Sequence, residues 1–362
     1  MTSDLLASSL EPPLFGLSQA ERVTRLEPVL RSLTRHHIEA SPEYRGIVEA
    51  MFPQWESTPG LAGLPFVPVG IFKRRTLKSI PDNEVFKTIT SSGTSGQLPS
   101  RVHVDRDTAK RQTRALTSIM GHVLGPARRP MLIVDTDAIL ADRTNRTARA
   151  AGVVGLMSLG RHHTFVLDAD MQLQPQRIAA FLDDHADTPL LIFGFTFMVW
   201  QHLYKPLKDA GIDLSGATLV HSGGWKQMED ERVDNDEFKA ALHDAFGITD
   251  VVNFYGMAEQ VGSVFIEGSD GRLHASAFAD VIVRDPATWE EAAIGEPGVL
   301  QVLSAVPTSY PGHSILTEDR GVIETVDDPT TGLGGKAFRV LGRLPKAELR
   351  GCSDTYAAGV NA

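Results

Sequence analysis

The sequence predicts an α/β fold in which a mainly parallel sheet, flanked by helices, is followed by a β-rich subdomain. Between residues 131 and 254, short apolar segments alternate with helical patterns of ten or more residues. Strands that are buried on both faces and joined by helices form parallel sheets. Beyond residue 254, short strands are separated by turns rich in Gly or Pro, and no helical pattern is convincing. This change predicts an antiparallel subdomain.

The first 70 residues are predicted to form a helical segment and an irregular connection. Ser18 and Glu21 have the spacing of a capping box, and apolar residues then recur at helical intervals. A second helix is expected to begin at Ser41-Pro42, because Pro is favoured at the first helical position. Residues 53–69 contain four prolines and are predicted to form an ordered but irregular connection.

An α/β core is predicted over residues 71–262. Its expected strands after the first 130 residues are Met131–Val134, Thr164–Leu167, Leu190–Phe193, Thr218–Val220 and Val251–Phe254. Its expected helices are one capped by Asp107 and running to about Val123, and then Pro175–His185, Phe197–Lys208 and Glu229–Phe246.

The β-rich subdomain is predicted over residues 263–341, followed by a short C-terminal tail, 342–362. The expected strands are Val264–Glu267, Ala279–Arg284, Val299–Leu303, Gly321–Val326 and Phe338–Leu341. The tail contains Cys352.

Composition excludes several classes of function. A formal charge of −10 argues against a general nucleic-acid binder, which needs a basic surface. The clusters Lys73–Arg75 and Arg128-Arg129 are short and are interpreted as solvated surface. A single cysteine excludes an internal disulfide and indicates a cytoplasmic protein. No apolar run is long enough to span a membrane, and the N-terminus does not have the pattern of a signal peptide.

A loop rich in hydroxyl groups follows the apolar residues Val85, Phe86 and Ile89. It places five hydroxyl side chains and two glycines in the seven positions from Thr90 to Gly96. Such a loop can bind phosphate, because glycines let backbone N–H groups converge while Ser and Thr add donors. It matches neither the Walker pattern nor the dinucleotide fingerprint. The alternative is a solvated turn.

Four more motifs follow the loop in chain order. They are His221–Lys226, Asn253–Glu259, Leu316–Gly321 and Gly342-Arg343. Taken singly, each has a simple explanation: glycines at strand ends make turns, and Glu259 is a solvated carboxylate. Their order and spacing together are more specific.

The combined pattern resembles the adenylate-forming superfamily, which includes acyl-CoA synthetases. The more specific resemblance is to the LuxE-like acyl-protein synthetases of the bacterial fatty-acid reductase complex. The stretches that carry it run through nearly the whole chain: Ser91–Gly96, Gly194–Phe197, Gly223–Lys226, Tyr255–Gln260 and Arg350–Cys352.

The resemblance implies an adenylate-forming N-terminal-domain architecture, ATP and Mg²⁺ as cofactors, and a carboxylic acid as substrate. Glu259 would coordinate Mg²⁺, Tyr255 would stack near adenine, and Asp319 would bind the ribose hydroxyls. The implied ATP-binding set is Ser91, Ser92, Gly93, Thr94, Ser95, Gly96, Tyr255, Gly256, Met257, Ala258, Glu259, Asp319 and Arg343. The candidate substrate-binding residues are Gly194, Phe195, His221, Gly223 and Gly224.

In this interpretation the acyl group passes from the adenylate to the thiol of Cys352, and a partner acyl reductase or acyltransferase then receives it. The sequence departs from the usual pattern in several ways, one of which is Glu318 in place of the glycine that usually precedes the ribose-binding aspartate. Ser100 and Arg101 stand where a lysine usually follows the loop proline, and the short tail predicts that the large mobile C-terminal domain with its catalytic lysine is absent. Arg101, Lys226 and Lys346 are candidates to replace these lysines.

Two other functions stay open from the sequence. One is an adenylating enzyme of a biosynthetic pathway that delivers its acyl group to CoA, a carrier protein or an amine. The other is a catalytically silent protein that binds nucleotide or acts as a scaffold.

Overall fold

The structure is a computed structural model that describes residues 10–11, 13–91, 99–141, 148–225 and 231–344. Its helices are α1 (Gln19–Ala40), α2 (Pro42–Met51), α3 (Ile71–Arg74), α4 (Arg106–Leu124), α5 (Ala148–Met157), α6 (Pro175–Asp184), α7 (Thr196–Val199), α8 (Lys205–Leu207) and α9 (Asn235–Phe246). Its strands are β1 (Val67–Pro68), β2 (Lys87–Thr90), β3 (Arg101–Val104), β4 (Arg129–Thr136), β5 (Gly160–Leu167), β6 (Leu190–Phe195), β7 (Ala217–Ser222), β8 (Asp250–Tyr255), β9 (Phe265–Glu267), β10 (Leu273–His274), β11 (Ala279–Arg284), β12 (Gly298–Ser304), β13 (Ser314–Val326) and β14 (Lys336–Arg343).

The chain divides into two compact units. The first unit contains the described residues up to 119 together with 256–344, and the second contains the described residues from 120 to 255. In the described part of the chain, no helix is both long and apolar enough to cross a membrane.

The first unit is organised around an antiparallel sheet in the order β11-β12-β13-β14-β10-β9. Strand β1 joins this sheet by pairing in parallel with β13. Strands β2 and β3 form a separate antiparallel hairpin. The predicted antiparallel β-rich region is therefore confirmed, and its strand β13 continues through the Leu316–Gly321 motif.

The N-terminal helices of the first unit begin as the sequence predicts. Ser18 and Glu21 form a complete capping box at the start of α1, and Pro42 is the first residue of α2. The Ser18 and Glu21 side chains accept hydrogen bonds from backbone N–H groups that have no partner within the helix. For α4 the predicted cap was wrong. The carboxylate of Asp105, rather than Asp107, accepts a hydrogen bond from the backbone N–H of Thr108 at 2.7 Å.

The second unit contains a parallel sheet in the order β5-β4-β6-β7-β8. All five predicted strands are present, and the apolar residues of β4, β6 and β7 are buried. The sequence did not predict α5, and the helix predicted from Glu229 begins only at Asn235, after the N-cap Asp234. The predicted helix Phe197–Lys208 is interrupted by a π-helical turn, Trp200–Tyr204.

Candidate active site

The first unit holds the predicted site residue Glu259 in a buried position. Glu259 lies in the short 3₁₀ turn Ala258–Gln260 and is only 6% exposed. The Tyr310 hydroxyl donates to its backbone carbonyl at 2.9 Å, and the Gln260 side chain donates to the carbonyls of Val302 and Gly312. These bonds fix the turn. Because the Glu259 side chain is buried, its interpretation as a solvated carboxylate is wrong.

The surroundings of Glu259 combine burial with charge. Burial raises the pKa of its carboxyl, although the neighbouring Ser100 hydroxyl and the charge of Lys73 act in the opposite direction. The nearby Glu318 carboxylate also raises this pKa, because two like charges repel. Glu259 therefore belongs to a local group of ionisable side chains that includes Lys73 and Glu318.

Lys73 was interpreted from sequence as solvated surface, and the structure contradicts this. Its side chain is 16% exposed and its Nζ lies 3.8 Å from Glu318 Oε1. Lys73 is part of α3, which packs against β3. The residues that meet here are far apart in the chain, so no local pattern could have revealed the pairing. The only sequence signal was the presence of Glu318 where the superfamily usually has glycine.

The phosphate-loop motif is described only at its two ends. Ser91 follows β2, Ser100 precedes β3, and their groups bond twice: the Ser91 backbone N–H donates to the Ser100 carbonyl at 3.1 Å, and the Ser100 N–H donates to the Ser91 hydroxyl at 2.9 Å. Ser92, Gly93, Thr94, Ser95 and Gly96 lie outside the described residues. Arg101 is exposed at the start of β3.

Asp319 and Arg343, which were predicted from two separate motifs, are direct neighbours. They face each other across β13 and β14, with Arg343 Nε 3.6 Å from Asp319 Oδ1. The Asp319 backbone N–H also donates to the Thr317 hydroxyl at 3.1 Å. Successive side chains of a strand point to opposite faces, which explains why Glu318 and Asp319 have different cationic partners.

The second unit holds the predicted substrate-binding residues at the carboxyl ends of its parallel strands. Phe195 is opposite Ser222, and Gly194 is opposite His221. Tyr255 ends the adjacent strand β8 and is partly exposed. Gly194 is needed for close packing, since a Cβ there would lie 2.7 Å from a Val199 methyl and 2.9 Å from Val134.

His221 is buried and neutral. The Thr196 hydroxyl lies 3.0 Å from its Nδ1 and donates to the Gly223 carbonyl at 2.7 Å, while the imidazole ring lies against Phe238. Burial, with a smaller contribution from the charge of Lys239, lowers the pKa of His221 to about 3. Gly223 has a φ of +88°, a conformation that favours glycine.

Of the other candidates, some lie within the described residues and some lie outside them. Gly256, Met257 and Ala258 lead into the turn that carries Glu259, and Ala258 is buried. Gly224 follows Gly223 after the end of β7. Lys226, Lys346, Arg350 and Cys352 lie outside the described residues.

Comparison with known proteins identifies the class first. The fold matches crystal structures of 2-hydroxyisobutyryl-CoA ligase. One is an open conformation in complex with 2-HIB-AMP and CoA, with a TM-score of 0.66, 17% identity and coverage of 91% of this chain and 76% of that chain. Another, in the thioesterification state, gives a TM-score of 0.67 at 16% identity, covering 92% of this chain and 70% of that chain. The fold is that of the adenylate-forming ligases.

The family follows from the sequence comparisons. Residues 3–360 match the model of the family described as acyl-protein synthetase, LuxE, so the chain belongs to this family. Long-chain-fatty-acid–luciferin-component ligase of Aliivibrio fischeri is 24% identical over 296 residues, which are 80% of this chain and 77% of that protein. The Vibrio harveyi protein of the same name is 23% identical over 355 residues, which are 94% and 89% of the two chains. The chain is thus a carboxylate-adenylating ligase of the acyl-protein synthetase type.

Proposed function

We propose that this protein activates a fatty acid with ATP and Mg²⁺ and transfers the acyl group to its own Cys352. The family match and the names of the two relatives, both long-chain-fatty-acid ligases, support this substrate class. The observation that carries the activation step is the buried Glu259 carboxyl beside Ser100, at the foot of the phosphate-loop motif.

In the first half-reaction, an oxygen of the fatty-acid carboxylate attacks the α-phosphorus of ATP. The bond from this phosphorus to the bridging oxygen breaks, and pyrophosphate leaves with the bonding electrons. The product is a mixed anhydride whose acyl carbon is far more electrophilic than that of a carboxylate. Because charge accumulates on the pyrophosphate, the site needs cations fixed near it.

The residues around Glu259 fit a bound Mg²⁺. Glu259 offers a hard oxygen ligand, and burial raises its pKa because the carboxylate is removed from water. Within the described residues no cluster of three or more His, Cys, Asp or Glu could hold a metal by itself. Mg²⁺ sites commonly use one or two carboxylates together with substrate phosphates. When bound, Mg²⁺ would neutralise phosphate charge.

Asp319 and Arg343 are proposed to orient the nucleotide. The Asp319 carboxylate can accept hydrogen bonds from the ribose hydroxyls, and Arg343 can donate to ribose or phosphate. Their contact at 3.6 Å restrains both side chains on paired strands, which favours one orientation of each group.

The acyl group is proposed to contact the strand ends of the second unit. Gly194, Phe195, His221, Gly223 and Gly224 are the candidate residues, and aromatic rings of Trp200, Trp225 and Phe238 pack next to His221 or to one another. A neutral imidazole among aromatic rings suits an apolar chain, because no buried charge has to be desolvated.

In the second half-reaction, the Cys352 thiolate attacks the acyl carbon of the adenylate, and the bond to the AMP oxygen breaks. AMP leaves and a thioester remains on the enzyme. An acyl reductase is the proposed partner that receives the acyl group, and an acyltransferase is the other candidate acceptor.

The two half-reactions can be tested separately. We expect ATP–pyrophosphate exchange that depends on a fatty acid and that survives Cys352→Ser. Intact-protein mass spectrometry with ATP, Mg²⁺ and a mixture of fatty and aromatic acids should show one added acyl group, which hydroxylamine removes and which Cys352→Ser abolishes.

Other outcomes would overturn defined parts of the proposal. The absence of exchange with every acid, despite bound ATP, would contradict the activation step and favour a nucleotide-binding scaffold. Exchange without acyl labelling, with unchanged product formation in Cys352→Ser, would assign the acyl group to CoA, a carrier protein or an amine instead.

A further inference from the structure

The lysine at position 73 is the cation that the structure places beside the Glu259 turn. Its side chain is mostly buried, lies 3.8 Å from Glu318, and acts electrostatically on Glu259. Helix α3 carries it and packs against β3, whose preceding residue Ser100 also neighbours Glu259. Lys73 therefore shares its surroundings with the residues to which the proposed function assigns phosphate and Mg²⁺.

The contact between Lys73 and Glu318 is weak enough for an incoming anion to replace it. A separation of 3.8 Å is longer than a charge-assisted hydrogen bond, and partly exposed ion pairs at such distances contribute little to stability. A mostly buried Lys73 beside Glu259 and Glu318 can stabilise a further negative charge that binds at this site. A lysine ammonium is a compact charge with three rotatable donors, so it can turn from a carboxylate to a phosphate oxygen.

The backbone just before α3 lies close to the Glu318 carboxylate. Gly70, directly before α3, has no side chain, and a Cβ at that position would lie 3.5 Å from Glu318 Oε1. The backbone carbonyl of Glu318 accepts a hydrogen bond from the Leu344 N–H at 2.9 Å, which fixes the backbone of β13 at this residue. The ion pair therefore joins α3 to a fixed position on β13.

We propose that Lys73 binds the pyrophosphate portion of ATP and neutralises the charge that develops as pyrophosphate leaves, with Glu318 as its resting partner. This inference rests on the proposed adenylation function. It assigns the role to a residue other than Arg101, Lys226 and Lys346.

The test compares ligands with and without the pyrophosphate portion. Calorimetry with Lys73→Met should show ATP binding weakened about 10- to 100-fold, the loss expected for a hydrogen bond to a charged group, and AMP binding unchanged. Lys73→Arg, which keeps the charge, should recover part of the ATP affinity. Lys78→Met is the matched control, because Lys78 pairs with Asp82 in the same unit, and should leave both ligands unaffected.

Glu318→Gln separates a binding role from a structural one. If Lys73 binds phosphate, Glu318→Gln should change ATP affinity by no more than a few-fold, since Lys73 keeps its charge. Equal losses in Glu318→Gln and Lys73→Met, or equal losses of ATP and AMP affinity in Lys73→Met, would overturn the proposal. Should Lys73→Met fail to fold, Lys73→Gln and Lys73→Arg are measured in its place.

Failure of the proposed function has a different signature. Wild-type protein that binds ATP but gives no pyrophosphate exchange with any acid would contradict adenylation. The comparison of ATP and AMP affinities in the Lys73 variants would still test whether Lys73 binds pyrophosphate. Wild-type exchange with unchanged ATP affinity in the Lys73 variants would contradict only the role of Lys73.

Discussion

The two units bury polar groups in opposite ways. In the first unit, Glu259 is buried next to other charged side chains, Lys73 and Glu318. In the second unit, His221 is buried without charge, with a hydroxyl at one ring nitrogen and an aromatic ring against its face. A group of fixed charges suits a polyphosphate and a divalent cation, whereas a neutral aromatic environment suits an apolar chain.

The largest expected effect comes from removing the buried charge of the first unit. Glu259→Gln keeps the size of the side chain and removes a hard anionic ligand, so acid-dependent pyrophosphate exchange should fall by about 100-fold or more. The rate of radiolabelled pyrophosphate exchange at saturating ATP and Mg²⁺ measures this loss. Glu324→Gln is the control, because Glu324 pairs with Arg272 and Arg339 in the same unit, and its exchange should stay near wild type. Comparable losses of exchange in both variants would contradict a specific role of Glu259 in adenylation.

A smaller effect concerns the neutral histidine of the second unit. The pKa of His221 is lowered from its ordinary 6.5 to about 3, so below pH 6.5 the unfolded state binds a proton that the folded state does not. Its contribution to stability is complete above pH 6.5 and is lost progressively as the pH falls toward 3. Between pH 7 and 5 it should lower the free energy of unfolding by about 2 kcal/mol.

Urea denaturation at both pH values, with wild type and His221→Asn, measures this contribution as a difference of differences. The variant should lose about 2 kcal/mol less than wild type on acidification. His243→Asn, at a mostly exposed position, should behave as wild type does. His37 and His313 in the first unit also have a lowered pKa through burial, so wild type retains further acid sensitivity that His221→Asn does not remove.

The smallest effect is expected from a pair of neighbouring glycines. Gly223 has a φ of +88°, and a Cβ there would approach the Phe195 ring at 3.5 Å, so Gly223→Ala should reduce the free energy of unfolding by about 1 kcal/mol. A Cβ at Gly224 meets nothing within 4 Å, and Gly224→Ala should be close to neutral. Thermal unfolding of the two variants measures the difference, and equal melting temperatures would contradict it.

Some elements could not be predicted because their local signals are weak or misleading. Helix α5 contains two glycines and apolar residues around most of its surface, so neither propensity nor periodicity indicates it. In the sequence, Asp105 and Asp107 are both plausible caps for α4; in the structure Asp105 precedes the helix and caps it, while Asp107 lies in its first turn.

Periodicity and motif order in the sequence determined the alternation of strands and helices, the antiparallel region after residue 254, and the family. Those features depend on neighbours in the chain. Tertiary structure alone decided that Glu259 is buried, that Asp319 meets Arg343, and that Lys73 joins Glu318 instead of facing solvent. The reason is physical: burial and charge pairing depend on contacts between residues that are distant in the chain, and no local pattern records them.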